Sequence, residues 1–112
     1  MKEHIYLAST PSTSGLVAWA DHISTEDALI VKIFREAGAV FHVKTTNPQT
    51  LMALETDSNL YGRTVSPYNR GLTSGGSSGG ESALIAMRGS CLGIGTDIGM
   101  WCPYSKLGKY PQ

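Results

Sequence analysis

Cysteine is scarce in this 112-residue sequence, which contains only Cys91 and Cys102. Two cysteines cannot build a disulfide framework, so a reducing, intracellular and by default cytoplasmic setting is expected. The longest apolar runs fall far short of the roughly 20 residues that a membrane-spanning helix needs. The N-terminal residues 1–6 lack the apolar centre of a signal peptide. The sequence therefore predicts neither a transmembrane segment nor a secretory leader.

Net charge is also absent, because nine basic and nine acidic residues cancel. Without a run of Lys or Arg, the sequence has no electrostatic footprint for nucleic acid or for an anionic membrane. The three histidines and two cysteines lack the spacing of metal ligands, so neither a metal nor a cofactor is expected. His22 is predicted to be a polar loop residue and His42 a strand residue. The oligomeric state is left open.

Glycine is abundant, and every residue from Gly75 to Gly80 is glycine or serine. By composition this stretch is typical of a flexible linker. However, a helix is predicted directly after it at Ser82–Arg88, followed by a short strand at Cys91–Thr96. A glycine loop that opens onto a helix places backbone N–H groups and a positive dipole end beside serine hydroxyls. Sites for anions and oxyanions are built in this way, so we favour a functional loop.

The clearest periodic segment runs from Glu26 to Ala37 and predicts a helix. Ser24 and Asp27 have the spacing of a capping box, and Gly38 is placed to end the helix. The β-branched stretch Ala39–Thr45 then predicts a strand. A helix, a glycine and a strand in succession indicate a layered α/β fold. The apolar positions of the helix are Leu29, Ile30, Ile33, Phe34 and Ala37.

Between these elements and the glycine–serine stretch the sequence is less regular. Asn47-Pro48 is typical of a helix start and predicts a short helix at Gln49–Leu54. The segment Glu55–Gly71 is rich in turn residues and predicts a long loop. Residues from Met100 onward have neither helical nor strand periodicity and are predicted to form a tail.

Three short motifs fail on their context. Gly71-x-x-x-x-Gly76 begins like a phosphate-binding loop, but Ser77 stands where that loop requires lysine. Gly75–Gly79 satisfies the G-x-S-x-G pattern of a nucleophile elbow, but no strand precedes it and every histidine lies upstream. Gly93-Ile94-Gly95 begins a dinucleotide fingerprint, yet its third glycine position is Ile98.

A longer match is far more specific. The stretch Thr73–Glu81, followed by Gly95-Thr96-Asp97-Ile98-Gly99, resembles the amidase signature family. Lys44–Gln49 and Leu54–Asp57 resemble its fungal general amidase and fatty-acid-amide-hydrolase-like branch. The likeness covers residues 2–99, which we take as a partial domain, with residues 100–112 as a divergent tail. It implies a partial amidase-signature fold, a slice of an α/β/α layered mixed sheet.

The resemblance implies hydrolysis of small or fatty acyl carboxylic amides to an acid and ammonia or an amine, through a Ser–cis-Ser–Lys triad and an acyl-enzyme. Lys2 matches the basic lysine, with Glu3 in place of the usual aspartate, and Ser77 matches the bridging cis-serine. The backbone amides of Ile98 and Gly99 match the oxyanion and substrate loop. The supporting motif residues are Gly75, Gly76, Ser78, Gly79, Gly80, Thr96 and Asp97.

The sequence departs from the family's pattern at the nucleophile. Met100 replaces a glycine, and Trp101 stands where the nucleophilic serine belongs. An indole cannot form an acyl ester, and Cys102 is one position out of place. Lys2, so near the N-terminus, is expected to be frayed and solvated. These features predict an inactive chain, with a non-enzymatic remnant or a mis-predicted gene fragment as the alternative.

Overall fold

The computed structural model describes residues 1–98, which form two short helices and one pair of antiparallel strands. The predicted tail from Met100, with Trp101 and Cys102, lies outside the described residues, as does Gly99. The elements are helix α1 (Leu29–Glu36), strand β1 (Asp57–Ser58), strand β2 (Gly62–Arg63), helix α2 (Gly79–Ala86) and 3-10 helices at Val17–Trp19 and Gln49–Leu51.

Helix α1 begins later than predicted because its capping box does not form. The Ser24 hydroxyl donates instead to Ser12 Oγ at 2.9 Å. The Asp27 carboxylate accepts a hydrogen bond from the backbone N–H of Ala8 at 2.8 Å. With both side chains engaged elsewhere, no side chain caps the helix, and it starts at Leu29.

The end of α1 confirms the predicted role of Gly38. This glycine has a φ of +87°, in the region that favours glycine. Its N–H donates to the Arg35 carbonyl at 2.9 Å, which satisfies one of the unpaired carbonyls at the helix end.

The strands predicted at Ala39–Thr45 and Cys91–Thr96 are wrong for the described part of the chain. Lys2 makes a single parallel bridge with Thr45, and the Lys2 N–H donates to the Ile94 carbonyl at 3.0 Å. A regular strand requires a neighbour that pairs with it over several residues. The N-terminal residues offer only a short partner, so they lie between two extended segments without forming a sheet.

The predicted loop Glu55–Gly71 contains the only strand pair of residues 1–98. Asp57 pairs with Arg63 and Ser58 with Gly62, and Gly62 turns the chain with a φ of +73°. The helix predicted just before it, at Gln49–Leu54, is only a 3-10 turn. Thr50 and Leu51 have φ values of 61° and 66°, which a continuing helix cannot accommodate.

The apolar core is small and lies where the N-terminus meets α1. Its buried residues are Met1, Ile5 and Val31. The buried residues of helix α2 are glycine or polar rather than apolar. They form its first turn, Gly79-Gly80-Glu81-Ser82. Within residues 1–98, no helix has the length and apolar character that crossing a membrane requires. The partly buried residues that pack on the core are Leu7, Ala28, Phe41 and Ile94.

Candidate active site

The Lys2 side chain is the centre of the candidate site, and it is fully buried. Its Nζ donates to Ser77 Oγ at 2.7 Å and to Thr96 Oγ1 at 2.8 Å, and lies 3.3 Å from the Thr96 carbonyl oxygen. The expectation that Lys2 is frayed and solvated is therefore wrong. Hydrogen bonds to distant parts of the chain hold this residue in place despite its terminal position.

The backbone around Lys2 is fixed on both sides. The Glu3 N–H donates to the Thr45 carbonyl at 2.9 Å, and the Thr45 N–H donates to the Met1 carbonyl at 2.9 Å. The buried Glu3 carboxylate accepts the backbone N–H groups of Thr13 and Ser14 at 2.5 and 3.0 Å. Glu3 thus fastens the 13–15 loop beside the lysine, using two charge-assisted hydrogen bonds.

The glycine–serine stretch is packed tightly, and so it is not a flexible linker. Gly75 has a φ of +79°, and the peptide bond between Gly76 and Ser77 is cis. A Cβ on Gly76 would lie 2.8 Å from the backbone carbon of Glu55, a distance that real Cβ atoms do not reach. The Thr56 hydroxyl donates to the Gly75 carbonyl at 2.9 Å and accepts the Gly79 N–H at 2.8 Å. These contacts position Ser77 toward Lys2.

Ser78 connects the stretch to the segment that carries Thr96. Its hydroxyl donates to the Thr96 carbonyl at 3.0 Å and accepts the Thr96 N–H at 3.1 Å. A Cβ at Gly95 would lie 3.1 Å from Ser78 Oγ, so a larger residue there would crowd this contact. Sequence reasoning included Thr96 as a supporting motif residue but missed that its hydroxyl contacts the lysine.

Gly80 and Glu81 anchor the first turn of α2 against the same scaffold. A Cβ at Gly80 would lie 2.5 Å from the backbone nitrogen of Thr46. Glu81 Oε1 accepts the Thr45 hydroxyl at 2.7 Å and lies 2.7 Å from the N-terminal ammonium of Met1. The helix therefore contacts the extended segment that also pairs with Lys2.

The oxyanion and substrate loop is described only in part. Asp97 follows Thr96 directly, and the Ile98 side chain is 70% exposed. Gly99 and the predicted nucleophile position, Trp101, lie outside the described residues. The structure thus brings together Lys2, Ser77, Ser78 and Thr96, whereas Gly99 and Trp101 lie outside the residues that it describes.

Two further ionisable groups, His4 and Lys44, have shifted pKa values. Burial lowers the pKa of His4 to about 4, and the positive charges of Lys2 and Lys44 add to this effect. Burial also lowers the pKa of Lys44, while the Glu3 carboxylate opposes that shift. Lys44 Nζ donates to the Pro11 carbonyl at 2.5 Å and to Ser12 Oγ at 2.7 Å. Sequence reasoning did not identify either role.

Two open depressions flank Thr96. One, of about 700 Å³, is also lined by His4 and Tyr6, and the other, of about 510 Å³, is also lined by Glu81 and Leu92. A small molecule in either would lie next to the residue that contacts Lys2. Within the described part of the chain, no group of three or more His, Cys, Asp and Glu residues could hold a metal ion.

Comparisons with known proteins agree on one family. The family model described as Amidase matches residues 1–100. An acetamidase of Aspergillus oryzae and an amidase of Gibberella zeae are each 48% identical to this chain over 99 residues, which cover 88% of it and 18% of each relative. A solved fatty acid amide hydrolase superposes with a TM-score of 0.76 at 38% identity, over 80% of this chain and 16% of that one. The chain thus spans about a fifth of the length of the curated relatives that it matches.

Proposed function

This chain belongs to the amidase family, and we propose that it carries the lysine and bridging serine of an amide-hydrolysing site but not the nucleophile. The prediction of a partial α/β amidase-signature fold is confirmed by the likeness to the solved fatty acid amide hydrolase. The observation that supports the proposal best is the 2.7 Å contact between Lys2 Nζ and Ser77 Oγ, with the lysine fully buried.

In the proposed reaction, Lys2 is the base and Ser77 relays the proton. A nucleophilic hydroxyl gives its proton to Ser77 Oγ while the Ser77 proton moves to a neutral Lys2 Nζ. The nucleophile's oxygen bonds to the amide carbon, and the carbonyl oxygen becomes an oxyanion. Burial supports this role, because removing an amine from water disfavours its charged form.

The same two groups return the proton in the second half of the reaction. Lys2 reprotonates Ser77, and Ser77 protonates the leaving nitrogen as the carbon–nitrogen bond breaks, which releases ammonia or an amine. Water then hydrolyses the acyl ester by the same proton route and releases the carboxylic acid. Thr96 and Ser78 act as positioning residues, because their hydrogen bonds hold the acceptors around the lysine ammonium.

Substrate class follows from the family. The named relatives include an acetamidase and a fatty acid amide hydrolase, so we propose small or fatty acyl carboxylic amides as the substrates of the complete site. The backbone amides of Ile98 and Gly99 would stabilise the oxyanion.

The nucleophile is the missing group in this proposal. Trp101 occupies the position that the family's pattern gives to the nucleophilic serine, and an indole nitrogen cannot form an acyl ester. We therefore propose that the chain by itself does not hydrolyse amides. A second candidate is a non-enzymatic remnant, which is favoured by Trp101 at the position of the nucleophile.

A chimaera tests the lysine–serine assignment directly. In the Aspergillus oryzae acetamidase, residues 1–99 of this chain would replace the 99 residues that match it. The chimaera is expected to hydrolyse acetamide, whereas its Lys2→Met and Ser77→Ala variants should lose at least about a hundredfold in kcat, as expected for loss of general base catalysis. Lys32→Met is the matched control, because that side chain is exposed and pairs only with exposed Glu26 among residues 1–98.

Two results would contradict the proposal. Turnover that survives both Lys2→Met and Ser77→Ala would remove the support for this proton route. Turnover by the unmodified chain, assayed with acetamide, an aryl amide and a fatty acid amide, would show that the chain is not inactive. Absence of a cooperative melt for the chain, followed by circular dichroism, would favour the remnant.

A further inference from the structure

Thr45 holds the backbone of Lys2 through both of the residues that flank it. The Thr45 carbonyl accepts the Glu3 N–H at 2.9 Å, and the Thr45 N–H donates to the Met1 carbonyl at 2.9 Å. The Thr45 side chain makes a further contact, because its hydroxyl donates to Glu81 Oε1 at 2.7 Å. Both residues are buried, and Glu81 is only 2% exposed. A single residue, Thr45, therefore connects the Glu81 carboxylate to the backbone that carries Lys2.

Glu81 also lies on the element that follows the serine assigned as the proton relay. Helix α2 begins two residues after Ser77, and Glu81 is in its first turn. The same turn is packed closely on the extended segment, because a Cβ at Gly80 would lie 2.5 Å from the backbone nitrogen of Thr46. Ser77 and Glu81 are thus joined by one short turn of backbone. The hydrogen bond to Glu81 therefore fixes the backbone of Lys2 relative to Ser77.

We propose that Glu81 is a positioning residue for Lys2, acting through the hydroxyl of Thr45. This role rests on the proposed function, in which Lys2 Nζ must lie within about 2.6–3.2 Å of Ser77 Oγ to exchange a proton. A carboxylate suits the role, because it accepts several hydrogen bonds at once and strengthens them by its charge. Glu81 Oε1 has two such neighbours, since the Met1 nitrogen also lies 2.7 Å from it. Loss of this support displaces the base, and a displacement of about 1 Å can lower a rate about a hundredfold.

The test measures kcat and KM for acetamide in the acetamidase chimaera. Thr45→Val and Glu81→Leu should each lower kcat at least about tenfold and leave KM within about twofold, because they displace the base and not a group that binds substrate. Thr45→Ser keeps the donor and Glu81→Gln keeps the acceptor, so each should retain at least about half of the kcat. The double variant Thr45→Val/Glu81→Leu should be no worse than the weaker single variant, within about twofold, since both substitutions break one hydrogen bond.

Ser82→Ala is the matched control for damage to the helix. Ser82 is buried in the same turn, and its hydroxyl has no hydrogen-bond partner among residues 1–98. Its removal should leave kcat unchanged. Circular dichroism checks that each chimaera is folded. Should Glu81→Leu fail to fold, the comparison of Thr45→Val with Thr45→Ser decides, because these two variants differ in the hydroxyl that contacts Glu81.

Chemical acetylation records the placement of Lys2 without any catalysis. In the full chain, acetic anhydride should modify Lys2 at least about fivefold faster in Thr45→Val than in Thr45→Ser, because the lysine is released more often to solvent. Exposed Lys32 is the internal reference. The same rate in both variants would overturn the proposal.

Three kinetic results would also overturn it: an unchanged kcat in Thr45→Val and Glu81→Leu, an equal loss in Ser82→Ala, or a loss in the two conservative variants as large as in the others. Turnover that survives Lys2→Met in the chimaera would instead overturn the proton route, and with it the catalytic role of Glu81. Loss of turnover in Lys2→Met together with full kcat in Thr45→Val would overturn the role of Glu81 alone, so the two failures are distinguished.

Discussion

Lys2 Nζ and Ser77 Oγ lie 2.7 Å apart although 75 positions separate the two residues in the sequence. The lysine is fully buried at this contact, and Thr96 supplies two further acceptors from the far end of the described chain. This hydrogen-bonded centre therefore joins the beginning and the end of the described part of the chain.

Ser78→Ala should lower the free energy of unfolding by about 1–3 kcal/mol. The variant removes the Ser78 hydroxyl, which accepts a hydrogen bond from the Thr96 N–H and donates one to the Thr96 carbonyl. Urea denaturation of the full chain measures the loss. Thr25→Ala, on an exposed side chain, is the control, and an equal loss in both variants would contradict a specific role for Ser78.

Gly80→Ala should cost at least about 1–3 kcal/mol of stability, as overpacking of a close contact does. The added Cβ would lie 2.5 Å from the Thr46 backbone nitrogen, and backbone atoms cannot move aside as a flexible side chain can. Gly71→Ala is a matched control, because its Cβ would meet only the end of the Asn69 side chain at 3.2 Å. Similar melting temperatures for the two variants would show that α2 does not pack as described.

Glu3→Gln should destabilise the chain by about 1.5–3 kcal/mol, the range for hydrogen bonds to a charged group. The substitution replaces a carboxylate oxygen by an NH₂ group that faces the backbone N–H of Thr13 or Ser14. Glu26→Gln is the control, since that side chain is 77% exposed. If chemical denaturation finds the two variants equally stable, the hydrogen bonds from the 13–15 loop to Glu3 contribute nothing to the free energy of unfolding.

His4 should make the chain less stable in mild acid. Its folded pKa of about 4 lies below the ordinary value of 6.5, so the unfolded chain binds more protons between these two values. The contribution of neutral His4 to the free energy of unfolding is fully present above pH 6.5 and is lost as the pH falls toward 4. His4→Gln should flatten this part of the stability curve, measured by urea denaturation at several pH values. His42→Gln, on an exposed side chain, should keep the dependence, and an unchanged slope in His4→Gln would contradict the assignment.

Local features were predictable from the sequence where local forces decide the structure. The centre of α1 follows from its apolar spacing, and Gly38 ends the helix with the positive φ that its position requires. The sequence pattern could not reveal that the predicted capping box does not form. Ser24 and Asp27 instead form hydrogen bonds with Ser12 and Ala8, which lie more than ten residues away in the chain. The strands at Ala39–Thr45 and Cys91–Thr96 failed for a related reason: strand formation depends on partners that a local pattern cannot reveal.

In the candidate site, too, the sequence identified residues but not the distant contacts that place them. Lys2 and Ser77 were identified by resemblance, but the burial of Lys2 depends on Thr45, Ile94 and Thr96, which lie far along the chain. A position near a terminus predicts fraying only when nothing ties the residue down. The need for glycine at Gly76 and Gly80 also comes from segments distant in sequence, namely those at Glu55 and Thr46.

The distance in sequence between Lys2 and Thr96 has a consequence for synthesis. A chain leaves the ribosome N-terminus first, at about 5–20 residues per second. Lys2 therefore emerges several seconds before Ser77 and Thr96, which accept hydrogen bonds from its side chain. The hydrogen bonds from Lys2 to Ser77 and Thr96 can therefore form only after Thr96 has been synthesised.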